Sequence, residues 1–276
     1  MKTYLDCIPC FIRQALDAAR LATDDEKMQE LVVRKVAAFA NSLDMSQSPP
    51  LMGQKIHRLI RELVGIDDPY RSVKIKFNDT ALKLYPDMRQ RIISSDKPLV
   101  TAVRLAITGN IIDFGVNGTL EESKLEKAIS ECLVADFVDV QLKLFQQAIN
   151  DAKEILYIAD NAGEIVFDRL LIEQLPIEKV TVAVKGSPVI NDATMEDALI
   201  AGLPRIVEVI DNGSDAPGTI LESCSQSFRD HFGKADFIIA KGQGNYETLS
   251  DIDKNIFFIL KAKCPVIAKD LGCEVG

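Results

Sequence analysis

The sequence predicts an α/β protein with an N-terminal helical subdomain followed by a Rossmann-like, mostly parallel sheet with flanking helices. Three observations carry this. The first 150 residues space their apolar side chains as helices do and lack strand-like alternation. From about Glu154 the texture changes to short apolar, β-branched runs separated by amphipathic stretches, the βαβ alternation of a parallel sheet. Four of those runs end in polar, glycine-containing loops, and right-handed crossovers place every strand-to-helix loop on one edge. The expected division is residues 1–150, helical, and 151–276, Rossmann-like. With no Pro-, Gly- or Ser-rich linker between them, the two parts have room to pack as one unit.

Taken in order, Phe11-Ile12-Ala15-Leu16-Ala19 and Ile56-Ile60-Leu63 form the apolar stripes of amphipathic helices. Residues 44–50 and 67–70 carry the turn residues expected between helices. Gly109-Asn110-Ile111-Ile112-Asp113-Phe114-Gly115 reads as a tight junction, and residues 120–145 as two helices broken near 132–136. In the second part the strands are 155–159, 180–184, 206–210 and 237–240. Helices are expected over 165–175, 194–201 and 219–228.

Composition narrows the function. The chain has 276 residues, 47% of them hydrophobic and 26% charged, and is long enough to bury a substantial core. A net charge of −9 argues against binding a nucleic-acid polymer, which needs a basic face. No apolar run approaches the roughly 20 residues that span a bilayer, and the first residues lack a signal-peptide core. A cytoplasmic protein without a membrane partner is expected. The six cysteines are scattered, so reduced thiols are the default. Periodicity leaves open whether the helices of the first part form a homo-oligomer interface or simply a core.

The strand-end loops hold the chemistry. Asp160-Asn161-Ala162-Gly163-Glu164 and the Asp192 of Lys185-Gly186-Ser187-Pro188-Val189-Ile190-Asn191-Asp192 supply an all-oxygen donor set that suits Mg²⁺ or Mn²⁺. Such an ion could activate a water for in-line attack on a phosphoryl group. The competing explanation is that Asp160, Asn161 and Asp192 cap the helices that follow. Lys185, Lys241 and Lys261 lie near strand ends, where an ammonium could neutralise phosphate. Gly242 and Gly244 allow close backbone approach to a ligand, and Asn245 adds a donor. Glu164 is a candidate general base or an orienting group, or else favourable charge at a helix start. Cys7 and Cys10 form a CxxC at an expected helix start, a setting that lowers thiolate pKa. Redox activity, a weak metal site and plain packing all fit it. His57 and His231 lie in ordinary amphipathic patterns.

These loops, with Lys241-Gly242-Gln243-Gly244-Asn245-Tyr246-Glu247, resemble those of the damage-control phosphatases, long described only as a domain of unknown function. Cys7-Ile8-Pro9-Cys10 and Gly109-Asn110-Ile111-Ile112-Asp113 extend the resemblance over nearly the whole chain, towards the prokaryotic, CxxC-containing branch, with Asn110 and Asp113 as accessory candidates. The resemblance implies that Asp160, Asn161 and Asp192 hold Mn²⁺, Co²⁺, Ni²⁺ or Mg²⁺ for hydrolysis of phosphate monoesters. It also implies that residues 241–245 and Lys261 line a phosphate pocket. The Arg-x-x-Lys pattern of one eukaryotic branch has Phe258 in the arginine position here, so the sugar-phosphate substrates of that branch are not carried over. The expected partner is a small phosphorylated metabolite, a nucleotide or a damaged one.

The expectation is therefore a metal-dependent phosphatase using a metal-activated water. Asp160 as a covalent nucleophile is the lesser option, because haloacid-dehalogenase-type enzymes place a second Asp where this chain has Ala162. The alternative from another class is a metabolite-binding protein that uses the same metal without hydrolysis. A methyltransferase reading lacks a Gly-x-Gly-x-Gly turn after the first strand.

Overall fold

The computed structural model describes residues 1–109, 127, 129–133 and 139–276. Helices α1 (Cys7–Ala22), α2 (Glu26–Ala40) and α3 (Pro49–Val64) come first. Phe11, Ala15, Ala18 and Ala19 recur on one face of α1 and meet Val32, Val36, Met52, Ile56 and Ile60 in a small core of their own. Helices α4 (Arg71–Ile93), α5 (Pro98–Gly109) and α6 (Asp139–Asp151) follow. These pack differently, since Phe77, Leu105 and Phe145 enter the main core beside the sheet. Residue 150, the expected boundary, thus lies along a continuous core. Asn110 and Asp113 lie outside the described residues, as does much of the segment expected to form two helices over 120–145.

The sheet has five parallel strands, β1 (Ile155–Ile158), β2 (Val180–Val184), β3 (Glu208–Asp211), β4 (Phe237–Lys241) and β5 (Ile256–Ile259), in the spatial order β3-β2-β1-β4-β5. Central β1 places Ile155 opposite both Val180 and Phe237. Ile155 and Tyr157 face the core that holds Leu105 and Phe167, while Leu156 and Ile158 face Phe228 and Phe232. That two-sided burial explains why β1 is continuously apolar. Each fully buried Ile or Phe stabilises the fold by roughly 1.5–3 kcal/mol. The edge strand β3 instead exposes Glu208 and Asp211, charges that discourage pairing with another chain.

Between the strands lie α7 (Glu164–Ile172), α8 (Met195–Ile200), α9 (Gln226–Lys234), α10 (Gly242–Leu249) and, after β5, α11 (Pro265–Leu271). One expected helix is displaced. Residues 219–228 do not form it, because Ser225 starts α9 by accepting a hydrogen bond from the Phe228 amide at 3.2 Å. Thr219 is held instead in a turn by Asn245 and Thr248. The third strand begins two residues later than expected, after a 3-10 turn over Leu203–Arg205. The structure also adds β5, a four-residue apolar run. No described helix is long and apolar enough to cross a membrane.

Candidate metal and phosphate site

Strand order reverses between β1 and β4, so the loops leaving their carboxyl ends flank the crevice where doubly wound sheets take ligands. Asp160 and Asn161 follow β1, and Asp192 comes from the loop after β2. The backbone fastens the two loops together: the Ala162 amide donates to the Asn191 carbonyl at 2.9 Å, and the Ala193 amide to the Asp160 carbonyl at 2.8 Å. Asn161 and Asp192 thereby form an antiparallel bridge. Ile190 within this loop has φ 46°, the one positive value for a non-glycine among the described residues. A β-branched residue held there stores roughly 1–3 kcal/mol of strain, which a packed functional loop can sustain.

The helix-cap explanation does not describe these residues. Gly163 caps α7, its amide donating at 2.7 Å to Asn78 Oδ1 from α4. Thr194 caps α8 through a capping box with Asp197. Asp160, Asn161 and Asp192 are nonetheless buried, at 8%, 5% and 4% exposure. Burial, with Glu164 and Asp192 nearby, pushes the Asp160 carboxyl well above the usual carboxylate range, and Lys263 and Lys185 offset this in part. Crowded, desolvated carboxylates of this kind are what a divalent cation relieves. Among the described residues no three His, Cys, Asp or Glu side chains close into a metal cage. Two carboxylates and an amide make an open all-oxygen set, a donor chemistry that fits Mg²⁺ or Mn²⁺.

Beneath this set runs a buried polar network. Asn161 Nδ2 donates to Asp160 Oδ2 at 2.6 Å and to Glu164 Oε2 at 3.0 Å, which orients the amide and leaves Oδ1 as its acceptor atom. Lys241, fully buried, donates to Glu164 Oε1 and Asp168 Oδ1 at 2.6 Å each and to the Ala106 carbonyl at 3.0 Å. Burial opposes its charge, but Asp168 and Glu164 more than offset that and hold Lys241 above the ordinary lysine range. Burial raises Asp168 to about 6 despite Lys241, and Tyr157 donates to it at 2.8 Å. All three ammonium protons of Lys241 are thus matched by oxygens under the site. Lys185 Nζ likewise donates to the Gly218 carbonyl and lies 3.3 Å from Asp192 Oδ2. Asn245 is committed too, donating to the Ala159 and Lys241 carbonyls and accepting from Thr219 Oγ1.

Two cavities lie at opposite edges of the sheet. The larger, about 680 Å³, is at the amino ends of the strands among Lys153, Lys179 and Arg205. The other, about 500 Å³, opens over Asp160, Asn161 and Asp192, and chemistry rather than size assigns the site to it. Gly244, Cys7, Cys10, Cys264 and Glu247 also line it. Lys261 is absent from its lining, whereas Lys263 is present, drawn in where its amide donates to Gln243 Oε1 at 3.2 Å. A strand-end rule applied to β5 would have found Lys263 as readily as Lys261. The thiol expectation is corrected: burial raises both Cys7 and Cys10, with nearby Glu247 and Cys264 adding to it, so the helix start does not yield a ready thiolate.

Fold and site together define a doubly wound α/β protein with an acidic, oxygen-donor pocket at its topological switch point. A family model described as the damage-control phosphatase ARMT1-like domain matches residues 3–276, and the chain belongs to that family. A damage-control phosphatase of Pyrococcus horikoshii is 38% identical over 283 residues, covering 100% of this chain and 96% of that protein. Another, of Archaeoglobus fulgidus, is 36% identical over 285 residues, covering 98% of this chain and 95% of its own length. The crystal structure of a DUF89 family protein from Pyrococcus horikoshii superposes with a TM-score of 0.90 at 35% identity, over 100% of this chain and 97% of that one.

Proposed function

We propose that the protein is a metal-dependent phosphatase of small phosphate monoesters, nucleotides or damaged phosphometabolites among them. The observation that carries this is the pinned pair of loops presenting Asp160, Asn161 and Asp192 to a metabolite-sized cavity. The damage-control phosphatases that it resembles support the phosphatase class. Asp160, Asn161 and Asp192 would hold the cation, which when bound supplies Lewis acidity at the phosphoryl group and activates a water for attack on phosphorus.

The chain's own groups do the rest. Lys263 on the cavity wall shares the charge of the phosphoryl oxygens. Lys185 positions the Asp192 carboxylate by its ion pair. Glu164, anchored by Lys241, turns the Asn161 amide so that its oxygen is the donor presented. Phe11, Pro49 and Val266 give the cavity an apolar wall that limits bulk water near the reacting phosphate.

The test is phosphate release from a panel of nucleotides, sugar phosphates and cofactor phosphates. The protein is first stripped with chelator and then resupplied with Mn²⁺, Co²⁺, Ni²⁺ or Mg²⁺ singly. Activity should vanish on chelation, return with metal, and fall at least about 100-fold in folded Asp192→Ala. Tight metabolite binding without release from any ester would point to the non-hydrolytic alternative.

A further inference from the structure

We propose that Glu247 selects the substrate, its carboxylate accepting a hydrogen bond from an N–H group on the alcohol portion of the phosphate ester. The inference rests on the phosphatase reading for its phosphate and adds the chemical class of the group attached to it.

Glu247 is 8% exposed and lines the same cavity as Asp160, Asn161 and Asp192. Its Oε1 accepts from Gln243 Nε2 at 2.8 Å, while among the described residues no hydrogen bond reaches Oε2. The Met1 amine spends its hydrogen bonds on the Glu247 carbonyl at 3.1 Å and the Asp251 carboxylate at 3.0 Å, and acts on the Glu247 carboxyl through its charge alone. As a purely structural residue Glu247 is poorly placed. It sits in the last turn of α10, where the helix dipole disfavours negative charge, and an i,i+4 contact with Gln243 offsets this only weakly. Burial lifts its carboxyl to about 7 against the pull of Gln243 and the chain amine, the mark of a group kept out of water without a full set of partners.

The shared cavity bounds the ligand's size. An ideal Cβ at Gly242, the first residue of α10, would lie 1.9 Å from Asp160 Oδ2, so the helix begins against the metal-site carboxylate. Glu247 is five residues further on, about 7.5 Å along the axis. Both ends line one cavity, so a ligand small enough to fill it can touch the two carboxylates together. That suits an amino alcohol, an amino sugar or a compact nucleotide in a cavity of about 500 Å³. A cationic amine makes a charge-assisted bond to the carboxylate, and a neutral ring N–H makes a weaker one.

Calorimetry of the Mn²⁺-loaded protein with phosphonates, whose C–P bond resists hydrolysis, tests the idea. Two matched pairs serve: aminopentylphosphonate against hexylphosphonate, and the phosphonate isosteres of a purine ribonucleotide with and without its exocyclic amine. The wild type should prefer the N–H member of at least one pair by about tenfold. Glu247→Leu should erase that preference. Glu247→Gln, which keeps an acceptor but no charge, should lose a preference for the cationic amine and retain one for the neutral amine, so the two sources are told apart. Equal affinity within both pairs in the wild type, or a preference that survives in folded Glu247→Leu, overturns the proposal. Phosphate release from the corresponding esters is measured in parallel. Preference without release would sink the phosphatase reading while keeping Glu247 as selector, and release without preference would do the reverse.

Discussion

The tightest constraint at the residue scale is the contact between Gly242 and Asp160. Gly242 has φ +78°, and its missing side chain leaves the space that the Asp160 carboxylate occupies, since an ideal Cβ would stand 1.9 Å from Oδ2 and 2.2 Å from Cγ. No rotation of a methyl relieves such an overlap, so a larger residue must displace the carboxylate, the strand end, or both. Gly242→Ala should therefore lower kcat/KM about 100-fold through misplaced metal-site geometry. It should also destabilise the fold by about 1–3 kcal/mol from strain at positive φ. Phosphate release alongside urea unfolding checks both, and near-wild-type activity in this variant would mean that Asp160 does not hold the catalytic geometry. The carboxylates and the glycine were legible in the sequence because strand ends and turn residues leave a local signature. The commitment of Lys241 to Glu164, Asp168 and Ala106 was not, because it depends on residues 73, 77 and 135 positions away in the chain.

At the scale of elements, α3 is clasped to the sheet edge through one carboxylate. Asp215 accepts from Gln54 at 2.7 Å, from Arg58 at 2.6 and 2.8 Å and from Arg61 at 2.5 Å, while Arg61 also donates to the Pro188 carbonyl in the loop after β2. Partial burial alone would raise this carboxyl, but the hydrogen bonds from Arg58, Gln54 and Arg61 hold it well below its ordinary value of 3.8. A carboxyl depressed in the folded state contributes its stability in full above the unfolded value and loses it as pH falls below that value. Asp215→Asn should therefore cost about 1–3 kcal/mol near neutral pH, with the gap from wild type closing as pH drops from about 4 towards 2. Urea unfolding of both proteins across that range measures it, and a gap independent of pH would remove charge from the explanation. Sequence periodicity identified α3 through Ile56, Ile60 and Leu63. Its docking partner, more than 150 residues away, leaves no local pattern to read.

For the whole molecule, the packing places its seam elsewhere than the change in sequence texture. Texture changes near residue 150 because strands begin there, yet Phe77 and Leu105 share a core with Tyr157 and Phe167, and Lys241 bonds the Ala106 carbonyl across it. Helices α1 to α3 instead pack about Phe11, Val36 and Ile60 and meet the rest through the Asp215 clasp, Pro217 against Gly53, Tyr70 and Ile190 packed on their core, α3 against α10, and the walls of the cavity. The cavity over Asp160 is thus the gap between a three-helix unit and the carboxyl edge of the sheet. A unit with its own small core, joined through a polar clasp, a few apolar contacts and a hollow, should open more easily than helices embedded in the main core. Native-state hydrogen exchange should give amides of residues 7–64 a lower opening free energy than those of 71–93 and 155–158. Asp215→Asn should lower the first group by about 1–3 kcal/mol and leave the second at the global value. A ligand that bridges Cys10 and Phe11 on one wall and Asp160 on the other should raise protection in residues 7–64 first, because it couples the two sides of the seam. If all these amides exchange at one free energy in wild type and variant alike, the three-helix unit is not a separate opening body, and substrate must enter a cavity whose walls move only with global unfolding.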